Sequence, residues 1–238
     1  MALPIQNAVT YSLKIPSTGQ QIQYRPFLIK DEKNLLIAQQ SEDPKVMVDS
    51  LKEVIKNCVK DDIDIHALAT FDIEYVFTQI RAKSVGEQVD LHMKCDKCVD
   101  DEKAITKVSI DITQLEVDIP ENHNNKINLF DDVGIVMKYP SFDIIGDLSN
   151  LDENNVDQMF DLVIKCIDSI YNSTEIFHAK EQTRDEMVEF LNNLSSEQFG
   201  KIQNFFESMP KLSKTLEYDC PVCQTHHKKI IEGMQNFF

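Results

Sequence analysis

The chain has 238 residues, 42% of them apolar, with 40 acidic against 24 basic residues and a formal net charge of −16. That length and apolar fraction suit one large domain or two intimate ones and exclude a disordered chain. The acidic balance argues against a grip on nucleic acid or on anionic membranes, which both need clustered Lys and Arg, and favours a basic protein partner or plain solubility.

The start, Met1-Ala2-Leu3-Pro4-Ile5, lacks a basic segment and a long apolar one, so no signal peptide is expected, and no apolar run approaches a membrane span. Residues 8–15 alternate, Pro16-Ser17-Thr18-Gly19 signals a turn, and 21–28 resume an extended pattern, which together predict a β-hairpin. Asp31 is the expected cap of a helix reaching Ser41, and a second helix follows Asp43-Pro44 to about Val59. In the second helix, Val46, Val48, Leu51, Val54, Ile55 and Cys58 keep helical spacing. A third helix is predicted over 65–82. The period then changes to two over 85–93 and 104–112, which predicts two strands joined through a short tip.

Residues 115–125 are acidic, contain Pro120, and read as a connection. A hairpin over Asp131-Asp132 is expected from 126–130 and 133–139, and a helix from about Glu153 to Tyr171. Thr183 with Glu186 forms a capping-box pattern for a helix over 184–193. A further helix starting at Ser195 or Ser196 carries Phe199, Ile202, Phe205 and Phe206 and ends before Pro210. Strands are expected over 212–218 and 228–231. The reading divides the chain into 1–84 (hairpin plus helices), 85–125 (first knuckle hairpin and connection), 126–211 (hairpin plus helices) and 212–238 (second knuckle hairpin and Phe-rich tail).

Two Cys-x-x-Cys pairs, Cys95-Asp96-Lys97-Cys98 and Cys220-Pro221-Val222-Cys223, each lie between predicted strands. Two thiolates separated by two residues can bind one ion from a tight turn, and two such knuckles complete a tetrahedral four-thiolate site. Cys95, Cys98, Cys220 and Cys223 are therefore the expected ligands of a structural zinc. A single iron or an iron–sulfur cluster accepts the same ligand set and ranks below zinc. Neither pair has the strand-to-helix context of a redox dithiol. His226 and His227 could each replace a cysteine, but four thiolates already satisfy the ion. His92 reads as strand surface, and Cys58 and Cys166 as core.

Enzyme chemistry finds no foothold. There is no Gly-x-x-x-x-Gly-Lys, Gly-x-Gly-x-x-Gly or Gly-x-Ser-x-Gly, and Gly totals six. Asp61-Asp62-Ile63-Asp64 reads as an acidic loop, and His66, His123 and His178 are scattered. Phe205, Phe206, Phe237 and Phe238 are the apolar residues singled out for partner binding, although the helical spacing of the first two also suits a core.

Four phrases carry a resemblance: Ile15-Pro16-Ser17-Thr18-Gly19 with the stretch 24–33; Glu175-Ile176-Phe177-His178-Ala179-Lys180; Phe205-Phe206-Glu207-Ser208-Met209-Pro210-Lys211-Leu212; and Cys220-Pro221-Val222-Cys223 with the Phe-Phe terminus. The chain resembles, over nearly its whole length, the baseplate hub and hub-assembly proteins of T-even-like contractile-tailed bacteriophages. The resemblance implies a non-enzymatic structural or assembly role through contacts with other hub proteins, with no nucleic acid and no membrane insertion. It implies the host cytoplasm during assembly and the virion tail baseplate if the chain is retained; homo-oligomers stay open. One departure is Gln224-Thr225, where a ribbon knuckle commonly places Gly. The expected fold is α+β, with a helical body and β-hairpins, two of which form a zinc-ribbon-like module. The alternatives from other classes are a zinc-ribbon nucleic-acid-binding regulator and an uncharacterised metalloenzyme.

Overall fold

The computed structural model describes residues 9–41, 43–99, 101–141, 143–144 and 156–234. In chain order its elements are β1 (Tyr11–Lys14), β2 (Gln21–Tyr24), α1 (Ile29–Ser41), α2 (Pro44–Cys58), α3 (Thr70–Ser84), β3 (Gln88–Lys94), β4 (Ile105–Asp111) and β5 (Glu116–Asp118). There follow β6 (Lys126–Phe130), β7 (Val133–Met137), α4 (Val156–Cys166), β8 (Ile167–Tyr171), β9 (Ile176–His178), α5 (Arg184–Asn192), α6 (Ser196–Glu207), β10 (Lys211–Asp219) and β11 (His226–Glu232). The mixture of helices and small antiparallel sheets is α+β, as expected.

Two compact units divide the chain: Met1–Ile65, Phe71–Asp118 and Lys211–Phe238 form the first, His66–Thr70 and Ile119–Pro210 the second. In the first unit, β1 and β2 pair in a hairpin whose turn needs the left-handed backbone of Gly19 (φ 69°). The chain after α2 joins it, with Arg25 N–H donating to Cys58 O and Lys60 N–H to Gln23 O. Of the α2 residues with helical spacing, Leu51, Val54, Ile55 and Cys58 are buried, whereas Val48 is half-buried and Val46, in the first turn, is exposed; Asp43 caps the helix by accepting from Lys45 N–H.

Helix α3 is buried on nearly every side, from Phe71 and Ile73 to Ile80 and Ala82. Asp72, fully buried on it, accepts from the Ser17 amide (2.9 Å) and hydroxyl (2.5 Å), so the turn of the first hairpin is held to this helix by a satisfied carboxylate. Ala82, Ile110, Ile112, Leu115, Leu212 and Leu216 form a second core, with Leu91, Met93, Val117 and Ile231 packed on it. That core lies under two sheets, the β3–β4 hairpin and a three-stranded sheet of order β11-β10-β5.

The second unit holds the antiparallel sheet β6-β7-β8-β9. Its core is Leu129, Ile135, Met137, Val163, Cys166, Ile167, Met187, Leu191, Ile202 and Phe205. Gly134 is required where β7 passes Tyr171, because a Cβ there would stand 2.6 Å from the backbone carbonyl oxygen of Ile127 as well as 2.2 Å from the phenol oxygen. The expected capping box forms, Thr183 with Glu186 on α5, and a second one, Ser195 with Gln198, starts α6 at the first of its two candidate serines.

Four expectations need correction. Helix α1 begins at Ile29, so Asp31 lies inside it; its carboxylate turns back to accept from Leu28 N–H and Arg25. The helix expected over 65–82 is split into a 3-10 turn at Ile65–Ala67 and α3 from Thr70, because the chain at Ala69 and Thr70 bonds to Ser141 and Pro140. The connection over 115–125 contains β5, which pairs with β10. The helix expected to reach Tyr171 ends at Cys166, and the chain continues directly as β8, drawn into the ladder with β7. The expected start of that helix near Glu153 lies outside the described residues. No helix among the described residues is long and apolar enough to cross a membrane.

Candidate metal centre

Both Cys-x-x-Cys pairs occupy the same local position. Cys95 follows the last residue of β3 and its amide donates to Ala104 O (3.0 Å); Cys220 follows the last residue of β10 and its amide donates to Thr225 O (3.0 Å). In the first tip Asp101 N–H returns to Cys98 O, and Lys103 N–H to the Asp101 carboxylate. In the second, Gln224 N–H returns to Cys220 O with Gln224 at φ 57°. Gln224 thus takes the left-handed conformation that glycine accepts without strain. The turn geometry survives the absence of Gly.

The β5–β10 pairing and the shared core carry the second tip back to the first. The four sulfur atoms all lie within 4.8 Å of one another, and Cys95 Sγ is 3.7 Å from Cys223 Sγ. Zinc bonded to sulfur at about 2.3 Å sets tetrahedral edges of about 3.8 Å. The donor set therefore fits a four-thiolate ion with little movement. Among the described residues, these four are the one group of three or more metal-ligating side chains that could hold an ion. Cys95 and Cys220 are buried with Ala104, Cys98 is half-buried, and Cys223 is exposed. No pair is joined as a disulfide.

The electrostatics point the same way. Thr225, whose hydroxyl lies 3.2 Å away, stabilises the Cys223 thiolate and pulls its pKa down to about 6. The hydrogen bond to Cys223 and the neighbouring thiols push Cys98 up to about 12. Thiols this close cannot all ionise in each other's presence; a divalent cation removes that repulsion. Outside the sulfurs, Thr106 Oγ1 donates to Asp219 O (3.0 Å), Tyr218 OH to Lys94 O (3.3 Å), and Lys229 pairs with Asp96 (2.7 Å), each linking one tip to the other.

His227 is the residue that the sequence reading undervalued. It is buried, stacks on Tyr218 (centroids 5.1 Å apart), and sets Nε2 3.2 Å from Cys95 Sγ. There it can donate an N–H to the thiolate. The inward positions of β11 are 227, 229 and 231, but Ile230 and Ile231 are both apolar, so alternation alone does not say which face of the strand turns inward. His226 is exposed and bonds to Asp219 through Nδ1 (2.9 Å). His92 is exposed on β3, as expected. His66 bonds to Asp143 and His123 to Ser208, all four of them residues of the second unit. Cys58 and Cys166 are fully buried.

Of the four Phe residues, Phe205 is 2% exposed, stacked on Tyr139 and packed against His123 and the edge of Phe206. Its burial in the core leaves it no surface to offer. Phe206 is half-buried against the same core. Phe237 and Phe238 lie outside the described residues.

Residues 8–238 match the family model described as T4 bacteriophage base plate protein. The chain is also 22% identical over 228 residues to the baseplate hub assembly protein gp26 of Enterobacteria phage T4, covering 96% of this chain and 97% of that protein. No solved structure matches. The chain belongs to the T4 bacteriophage base plate protein family.

Proposed function

We propose that this T4 base plate family member is a non-enzymatic structural or assembly component of a phage tail baseplate hub, working through contacts with other hub proteins. Support comes from the near full-length match to a relative named a hub assembly protein, together with the absence of a recognisable catalytic motif in the sequence. It would act in the host cytoplasm during assembly and stay in the tail baseplate if retained.

The same reading assigns a structural zinc to Cys95, Cys98, Cys220 and Cys223. The observation that carries it is four sulfurs from two separate hairpin tips within 4.8 Å of one another. Zinc supplies the positive charge that lets four thiolates coexist, and four protein ligands leave no position for water, so the centre is structural. The two tips then make one zinc-ribbon-like module. Elemental analysis of the protein purified from zinc-supplemented cells should find about one zinc per chain, falling on Cys220→Ser. Protein free of metal, with all four thiols reduced, refutes the assignment. For the baseplate role, phage lacking the chain should produce tails without complete baseplates; normal tails overturn it. Mass spectrometry of purified particles separates the two forms of the role, since a hub part is present and an assembly factor absent.

A further inference from the structure

The acid of this chain is unevenly held. Residues 66–70 and 119–210, the second unit, contain 17 acidic and 6 basic residues, a net −11; the remainder contains 23 and 18, a net −5. That acidic unit also exposes the edge of its sheet. Among the described residues β9 pairs with β8 alone, and Ile176, Phe177 and His178 are all exposed. Asn172 N–H donates to Glu175 O, so the alternation of the antiparallel ladder turns the Phe177 peptide groups toward β8 and those of Ile176 outward.

Beside this edge lies a groove of about 340 Å³ lined by Phe130, Val133, Ile170, Phe177, Met187 and Phe190. Exposed carboxylates stand next to the lining residues: Asp131 and Asp132 between Phe130 and Val133, then Glu175, Glu181, Glu186 and Glu189. Of the neighbouring cations, Arg184 pairs with Asp161, while Lys126 over the Tyr171 ring, Lys201 on the carbonyls of Asn128 and Leu129, and Lys180 keep their charge; the six carboxylates outnumber these three.

We propose that the groove and the β9 edge bind an extended basic segment of another protein. One apolar side chain of that segment enters the groove, its Lys and Arg residues meet the acidic rim, and its backbone adds to β9. A second copy of this chain is disfavoured as the occupant, because it would bring the same acidic face and another net charge of −16. The proposal rests on the reading that the protein works through protein contacts and names the chemistry of one such contact.

The test uses the full chain and a fluorescein-labelled probe peptide, Lys-Ile-Lys-Phe-Lys-Ile-Lys, read by anisotropy. Binding is expected at 50 mM NaCl and should weaken about tenfold by 300 mM, since the rim charges are exposed. Phe177→Ser should weaken it by about tenfold or more, the scale of one aromatic side chain withdrawn from burial, and Phe177→Leu should restore most of it. Phe177 is already exposed, so these variants should fold. Equal binding of a peptide with Ser for Ile and Phe, equal binding of a Glu-for-Lys peptide, or no effect of Phe177→Ser overturns the proposal. So does self-association through Phe177 in sedimentation. A Phe177→Ser chain that still supports baseplate assembly in infected cells overturns this surface alone, whereas normal baseplates without the chain overturn the wider reading.

Discussion

Removing the metal should open the two knuckle tips and spare the rest of the first unit. Without an ion, the tips are linked by the Thr106–Asp219, Tyr218–Lys94 and His227–Cys95 hydrogen bonds, by the Lys229–Asp96 pair and by a cluster of three small buried residues. Three hydrogen bonds contribute about 3 kcal/mol together, and a solvent-facing ion pair adds little. A structural zinc contributes on the order of 10 kcal/mol. The metal therefore dominates the tips. The base of the same hairpins rests instead on Ile110, Ile112, Leu115, Leu212 and Leu216, whose burial stabilises by about 1.5–3 kcal/mol each and needs no ion. Hydrogen exchange after chelation should show the amides of Cys95, Ala104, Cys220 and Gln224 losing protection. Those of Ile112, bonded to Glu87 O, and Gly233, bonded to Leu212 O, should keep theirs. Unchanged exchange at the tips after complete metal removal would refute the reasoning, as would loss of protection at Gly233 and Ile112.

His227→Phe keeps a ring against Tyr218 but removes the donor near Cys95, so metal transfer to a colorimetric chelator should quicken by about tenfold or more. Gln224→Gly relieves a left-handed residue at φ 57° and should slow the same transfer a few-fold, since the strain of about 1 kcal/mol is partly offset by glycine's greater freedom when unfolded. Arg25→Ala strands the buried Asp31 carboxylate and should lower stability by about 3–5 kcal/mol, seen as a lower urea midpoint at constant slope; adding Asp31→Ala should recover part of the loss. Burial pushes the Cys58 thiol up to about 11 and Cys166 to about 12, from 9.0 when exposed. Below pH 9 both thiols are neutral in either state and their stabilisation is complete; above it the unfolded chain ionises first, so stability falls toward pH 11–12. Urea midpoints at pH 8 and 10.5 should differ less in Cys166→Ala than in the parent chain.

What the sequence made legible is what local chemistry decides. The Thr183–Glu186 capping box, the spacing of Leu51, Val54, Ile55 and Cys58, and the period-two strands around each Cys-x-x-Cys pair state their structure without help from the rest of the chain. The missed elements depend on partners. Three-residue β5 and β9 hold less than two full alternations, and each is a strand because a neighbouring strand pairs with it. No Gly or Pro separates α4 from β8, so helical spacing runs on through Ile167 and Ile170 until β7 claims them. Asp31 has the chemistry of a cap, but Arg25 gives its carboxylate a better partner one turn inside the helix. At the candidate site, the four cysteines stood out because thiol spacing is itself the signal, and their sulfurs do come together. His227 was not singled out, because a histidine beside a complete ligand set looks redundant until its position on the inward face of β11 is known.

The long separation of the two cysteine pairs costs the site less than it suggests. The chain leaves the first unit at Asp118 and returns at Lys211, and these two residues are paired across β5 and β10. Once that ladder forms, the path from Cys98 to Cys220 no longer runs through the whole second unit. It runs 20 residues to Asp118, crosses one pair of strands, and runs 9 residues from Lys211. Closing a path of 29 residues rather than 122 saves about 1 kcal/mol of loop entropy, nearly a factor of ten in metal affinity. The saving depends on β5, whose buried support is Leu115 and Val117 against Leu212, all in the metal-independent core. The base of the hairpins thus sets the distance between the tips, and the proposed ion would lock an approach that the core has already made.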